Sequence, residues 1–302
     1  MLEFTHLIGI GLALTAAVSN ALTQLFIRVG SKKGATANVV IVVMILNTVI
    51  LTPIVLAVYY PHYHITQTSL VSFVLAGVLG SLFGRVFMYI SIRKIGASRT
   101  APLVSSQALF ATILGIAFLG ESLATVHFIG IVFVLFGIGF IAYETSNDGS
   151  KQLNTWELVT SLSLPFGAAL MFGVEPIFAT YGLRAGTAAP IGLVIKIISA
   201  TVGFLVYLWW QNNLPDYSLL RDDSLKWFVI AGLANTVFLF AYYSALEVAP
   251  VNIVVPVQIT STLWIVILSA LFMPRNLETV SWSLFFYIVI VFIGITLITL
   301  FG

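Results

Sequence analysis

The feature that most constrains this chain is a recurrence of long apolar stretches, each closed by a short polar break. Reading the stretches against their breaks gives spans near 7–27, 38–58, 70–92, 99–119, 125–143, 156–181, 187–209, 225–246, 250–273 and 281–301. A hydrocarbon core of about 30 Å is crossed by roughly 20 apolar residues of helix. Inside it the backbone must satisfy its own hydrogen bonds, so segments of this length are read as helices. Composition agrees: 60% of the 302 residues are hydrophobic and 8% are charged, against about a quarter charged in soluble domains. The expected fold class is an all-α membrane protein of ten transmembrane helices, with no room for a separate soluble domain. A net charge of +2, with no basic cluster interleaved with aromatics, argues against nucleic acid as a partner. Membrane lipid and a small-molecule solute remain. Cysteine is absent, which removes disulfides, thiolate metal ligands and cysteine nucleophiles. The first stretch, Leu7 to Ile27, lacks a preceding basic flank and holds Asn20 and Gln24, so it reads as a span and not as a cleaved signal.

The longest connections run from Glu144 to Thr155 and from Gln211 to Ser224, and the first divides the sequence into 1–146 and 147–302. The halves overlay with a shift of roughly 150 positions. Phe26 and Gly30 then fall on Phe178 and Gly182, Gly34-Ala35-Thr36 beside Gly186-Thr187-Ala188, Tyr89 on Tyr242, and Pro102 within one position of Pro256. Lys94-Ile95-Gly96-Ala97 falls beside Glu247-Val248-Ala249-Pro250. Each half holds an odd number of spans, so the second enters the membrane in the opposite sense, and the expected architecture is two inverted five-helix repeats.

With these marks the chain resembles the drug/metabolite transporter superfamily, in particular its ten-helix branch with two EamA-type domains. The residues that carry the resemblance are Tyr89 to Pro102, Phe118-Leu119-Gly120-Glu121 and Gly130 to Gly137 in the first half, and Tyr242 to Pro256 with Gly294 in the second. The second half departs from the pattern, having Met273-Pro274-Arg275 where Gly120-Glu121 would recur. The resemblance implies a transporter, and, combined with the polar stripes described below, it implies spans one, three, four, six, eight and nine beside the cavity.

Ionisable residues inside a span cost about 2.5–3.5 kcal/mol on insertion scales and therefore face the bundle interior with a partner or a task. Three qualify: Arg85 in span three, Glu175 in span six and Lys196 in span seven. Helical rise places Arg85 and Lys196 near the midplane, with Glu175 nearer the surface that holds Arg184. Ser81, Arg85 and Tyr89 share a stripe at i, i+4, i+8. Two readings stand side by side. In one, Arg85 and Lys196 give a cavity positive potential for a carboxylate or phosphate while Glu175 pairs with one cation or exchanges a proton. In the other, the charges form a structural ion pair, with a long cationic side chain snorkelling toward water.

Uncharged polar residues form further stripes. Asn20 with Gln24 lies in span one and Asn235 with Tyr242 in span eight, while Ser105, Ser106 and Gln107 in span four match Gln258, Thr260 and Ser261 in span nine. Singly, such residues serve as interhelical glue worth about 0.6 kcal/mol each; together they recur in matching helices. Phe87, Phe110, Phe238, Tyr243 and Trp264 join Tyr89 and Tyr242 as aromatics suited to wall an organic solute. Pro102, Pro256 and the Glu175-Pro176 pair are expected to break helices near a site. Trp209, Trp210, Trp227 and Trp282 sit at span ends, as an interfacial belt does. His62 and His64 lie two apart with no further His or Cys nearby, so they do not read as a metal site. No Walker loop, cofactor motif or catalytic constellation is present.

The expected function is a secondary carrier of a small organic metabolite by alternating access, an amino acid or related carboxylate first, export included. A phosphorylated-metabolite or nucleotide-sugar exchanger is the rival within transport, and a channel or an intramembrane enzyme are the rivals outside it. The cell membrane is the expected location. For orientation, the odd-numbered loops carry Arg28, Lys32, Lys33, Arg93, Lys94, Arg99, Lys151, Arg221, Lys226 and Arg275, and the even-numbered loops only Arg184. The positive-inside rule then puts both termini outside, whereas the family resemblance implies termini in the cytoplasm. The charge count sets the expected topology. In this cysteine-free chain, a single cysteine replacing Gly302 should react with an impermeant thiol reagent on intact cells, while one replacing Ser31 should not. The opposite pattern reverses the topology.

Overall fold

The computed structural model describes residues 2–30, 36–95, 104, 106–121, 128–133, 135–137, 155–212, 225–272 and 290. Among these residues the regular structure is entirely helical. The helices are α1 (Leu2–Gly30), α2 (Thr36–Tyr59), α3 (Gln67–Ala76), a π-helical segment (Gly77–Gly84), α4 (Arg85–Ile95), α5 (Gln107–Leu119), α6 (Thr155–Arg184), α7 (Ala189–Trp210), α8 (Leu225–Val248), α9 (Val251–Ile259) and α10 (Ser261–Phe272). A further apolar helix is described in part over Phe128–Gly137. Six helices are long and apolar enough to cross a membrane: Thr5–Ile27, Val40–Tyr59, Gln67–Met88, Ser163–Arg184, Ala189–Trp210 and Leu225–Val248. Pro102, Ser105, Met273-Pro274-Arg275 and, apart from residue 290, the tenth expected span lie outside the described residues.

Packing joins one half of the sequence to the other. Helix α1 runs along α8 much as span three (α3, the π-helical segment and α4) runs along α6. Helix α1 also meets α9 and α10 as α6 meets α5, α2 meets α8 as span three meets α7, and α2 meets α7. Every one of these pairings maps onto another, or onto itself, when spans one to five are exchanged with six to ten. A local turn repeats in the same way. At Ser106 (φ −61°, ψ −7°) the chain tightens, with Leu109 N donating to Ser106 O at 3.0 Å and Phe110 N at 3.4 Å. At Thr260 (φ −59°, ψ −10°) Leu263 N donates to Thr260 O at 2.9 Å and Trp264 N at 3.3 Å. Span nine is therefore two helices and not one. At the turn the Thr260 hydroxyl occupies the Val257 carbonyl at 2.7 Å, while Pro256 lies inside α9, which continues through it. The break expected at Glu175-Pro176 does not occur: α6 continues through both Pro165 and Pro176. The ring at Pro176 removes one i→i−4 bond, a loss that a 30-residue helix packed on both flanks tolerates.

Span three begins on a capping box. The Thr66 hydroxyl accepts from Ser69 N at 3.1 Å and the Ser69 hydroxyl accepts from Thr66 N at 3.0 Å, which satisfies two donors that have no intrahelical partner. The Thr187 hydroxyl, in the α6–α7 turn, bridges to the same Ser69 hydroxyl at 2.7 Å and donates to His64 O at 2.9 Å. One turn deeper, fully buried Phe73 lies between α6 and α7 where both lack a side chain, against Gly182 and Gly192. A β-carbon at Gly182 would stand 2.6 Å from the Phe73 ring, closer than van der Waals contact permits. Gly182→Ala or Gly192→Ala should therefore lower the melting temperature of the purified protein, by an overpacking cost of about 1–3 kcal/mol. Pairing either change with Phe73→Leu should restore part of the loss. Unchanged melting in both single variants contradicts this packing.

Candidate functional site

The ionisable residues singled out in the sequence converge where span three crosses α6 and α7. Glu175 of α6 and Lys196 of α7 form a hydrogen-bonded ion pair. Their side chains are 10% and 4% exposed, so both charges are removed from solvent. The π-helical segment makes room for the pair by presenting glycine to it. Gly80 abuts the Glu175 carboxylate, Gly77 abuts the Lys196 carbonyl and the Ser199 hydroxyl, and Gly84 abuts the Phe172 ring. A β-carbon at Gly80 would lie 2.8 Å from Glu175 Cδ. π-Helical turns tend to mark functional positions. Here the wider turns also shift Ser81 relative to Arg85 from the α-helical register that an i, i+4 stripe assumes.

Helix α8 closes the group from another side. Lys196 Nζ stands 4.8 Å above the ring centroid of Tyr243, a cation–π contact that gains strength when desolvated. The Tyr243 hydroxyl is buried close enough to Glu175 to interact with it, yet it makes no hydrogen bond of ordinary geometry. Tyr243 also packs against Phe73 at 6.4 Å and edge-on against Tyr242 at 6.0 Å. Arg85, half-buried at the end of the π-helical segment, is near enough for its positive charge to act on Lys196. Among the described residues no ion pair involves Arg85. Two cations and one carboxylate thus share this part of the interior, leaving one positive charge in excess.

The other expected site residues are distributed more widely. Ser81 is buried on the π-helical segment, while the Tyr89 side chain lies outside the described part of the structure. Asn20 donates to the Ser261 hydroxyl at 3.2 Å, tying span one to the break in span nine; Gln24, one turn on, is exposed. Gln258 is buried just before that break and Trp264 half-buried just after it. Gln107 is half-buried at the matching turn, where Gly173 of α6 lets its carbonyl approach. Asn235 is buried with its amide nitrogen unpartnered among the described residues, and Tyr242 stacks on Phe238 at 5.8 Å. From the sequence Tyr242 is the expected site residue and Tyr243 one of several aromatics, whereas Tyr243 is the ring on the ammonium. Gly77, Gly80 and Gly84 are not among the expected site residues. Their spacing of three and four is a legible sign of close helix approach in membranes. No group of His, Cys, Asp and Glu suited to a metal ion occurs among the described residues.

Breaking a buried ion pair on one side strands a charge at a cost of about 3–5 kcal/mol, whereas removing both charges is often close to neutral. Glu175→Gln and Lys196→Met should each destabilise the protein markedly, and the double variant should melt near the wild type. Additive losses in the double variant would show that the two residues do not act as a pair.

Comparison with known proteins places this geometry in context. The EamA-like transporter family matches the chain twice, over residues 7–143 and 160–300. Among solved structures, one described as "Crystal structure of protein" aligns with a TM-score of 0.75 over 98% of this chain and 96% of its own, at 12% identity. At that identity the likeness concerns the fold alone. No curated protein matches the chain in sequence. With two consecutive matches that together cover most of its length, in an all-helical structure whose packing repeats between the halves, the chain belongs to the EamA-like transporter family.

Proposed function

We propose that this multi-pass membrane transporter carries a small organic carboxylate, an amino acid or a close relative, by alternating access in the cell membrane. The observation that carries the reading is the excess positive charge at Arg85. Lys196 is engaged by Glu175, so the cation left for a solute is the half-buried guanidinium at the end of the π-helical segment. A guanidinium offers a planar fork that matches a carboxylate in two parallel hydrogen bonds. Aromatic and polar groups on α8 and around the turns at Ser106 and Thr260 suit the organic remainder of such a solute. Paired turns of this kind, in helices interrupted at matching depth, also favour two repeats, 1–146 and 147–302, working around one central site. A phosphorylated solute is the alternative that the same guanidinium supports, because its fork matches phosphate as well.

The test is uptake and counterflow in proteoliposomes with amino acids, phosphorylated sugars and lipophilic cations as competing solutes. Arg85→Gln should abolish transport of anionic solutes while leaving expression and melting temperature near wild type. Arg85→Lys should recover part of the activity, since an ammonium lacks the bidentate fork. Normal transport by Arg85→Gln, or its failure to fold, rejects Arg85 as the solute-binding cation.

A further inference from the structure

The described ends of α5, α6, α8 and α9 meet in one place, and helix termini there are closed by side chains from other helices. Glu121 follows α5, immediately after Gly120, whose φ of 68° ends that helix. Its carboxylate reaches across to the second half. Oε1 accepts from Val251 N at 2.9 Å and Oε2 from Asn252 N at 3.1 Å. These are the first two amides of α9, whose N-cap is Pro250, a residue with no side-chain cap to offer. A negative charge on a helix N-terminus gains from both the hydrogen bonds and the helix dipole. Gly115 leaves the space in which the carboxylate lies, because a β-carbon there would stand 2.7 Å from Oε2. Meanwhile α5 is held to α6 by the second half's own side chains: Arg184 Nη1 donates to Leu119 O at 2.9 Å and the Tyr181 hydroxyl to Phe118 O at 2.5 Å.

Helix α9 is a short element bounded at both ends by non-helical backbone. All nine of its residues are buried, it ends inward at the tightened turn on Thr260, and at its outer end the capping contact is the Glu121 carboxylate. In the repeat overlay the position of Gly120-Glu121 is taken by Met273-Pro274-Arg275, so the sequence does not repeat the motif there.

Taking the reading of an alternating-access carrier as its basis, we propose that Glu121 is the gate residue of the face where α5 meets α9. Its bidentate cap holds α9 in the closed position, and release of that cap lets α9 swing about Thr260 and admit water to its buried side. Glu121 acts through α9 and not on the solute, so it is a positioning residue.

A reporter of opening is available because the chain has no cysteine. Val254→Cys, at a fully buried position on α9, gives a thiol that reacts with N-ethylmaleimide only when α9 moves. Phe228→Cys, fully buried on α8, serves as the control for general loosening. In reconstituted protein at a temperature well below melting, Glu121→Gln should raise the reaction rate at residue 254 by about tenfold or more, the lower end of what a charge-assisted hydrogen bond contributes. Residue 228 should be unaffected. Glu121→Asp, one methylene too short to span both amides, should act in the same direction if the glutamine variant is poorly produced. Glu247→Gln removes a comparable carboxylate contact, to Ala189 N at 3.3 Å, within the second half alone, and should leave residue 254 as slow as in the parent. Unchanged labelling at 254, or an equal rise at 228, overturns the gate. The readout needs no solute, so the gate can hold even if the carboxylate substrate proves wrong, and can fail while that substrate stands.

Discussion

The organising constraint is that a fully buried charge in the membrane interior needs its counter-charge within bonding distance, and the helices must come close enough to permit it. Glu175 and Lys196 lie 21 residues apart on a helical hairpin, which brings them opposite each other. What seals them is a third helix stripped of side chains where it crosses them, at Gly77 and Gly80, and a Tyr243 ring beneath the ammonium. Replacing water around an ion pair costs several kcal/mol per ion unless contacts of this kind substitute for it. The same glycines that allow the crossing bring Arg85 into range of the pair, so the geometry that neutralises one cation also positions another.

Much of the fold is legible in the sequence, because a lipid-spanning helix announces itself by length and apolarity with little help from tertiary structure. The eighth span, read as 225–246, is found as Leu225–Val248. Local backbone departures are less legible. The π-helical turns lie in a mostly apolar run where the Ser81–Arg85–Tyr89 stripe suggests ordinary α-helix, and only the glycine spacing hints at them. Proline is a poor guide to the breaks: Pro176 sits within a continuous helix, and Pro256 lies inside α9, which ends only at the turn on Thr260.

At the site, the sequence identifies which residues carry charge but not how their neighbours are oriented. Tyr242 overlays on Tyr89 and shares a stripe with Asn235, yet adjacent helical residues point about 100° apart, and it is the Tyr243 ring that lies against the ammonium. The Glu121 carboxylate was visible only as part of a sequence pattern. Its bonds go to main-chain amides more than a hundred positions away, and main-chain partners leave no mark in the side chains of the residues they belong to.

Phe73 has a mechanical consequence. A ring lodged between glycines of two successive helices, with Thr187 bonded to Ser69 just above it, acts as a dowel through span three and the α6–α7 hairpin. Parts pinned in this way translate and tilt together. In any rearrangement of the helices the Glu175–Lys196 pair would ride inside one block instead of being pulled apart. Bending would fall to the joints outside that block, at the polar turns within otherwise apolar helices.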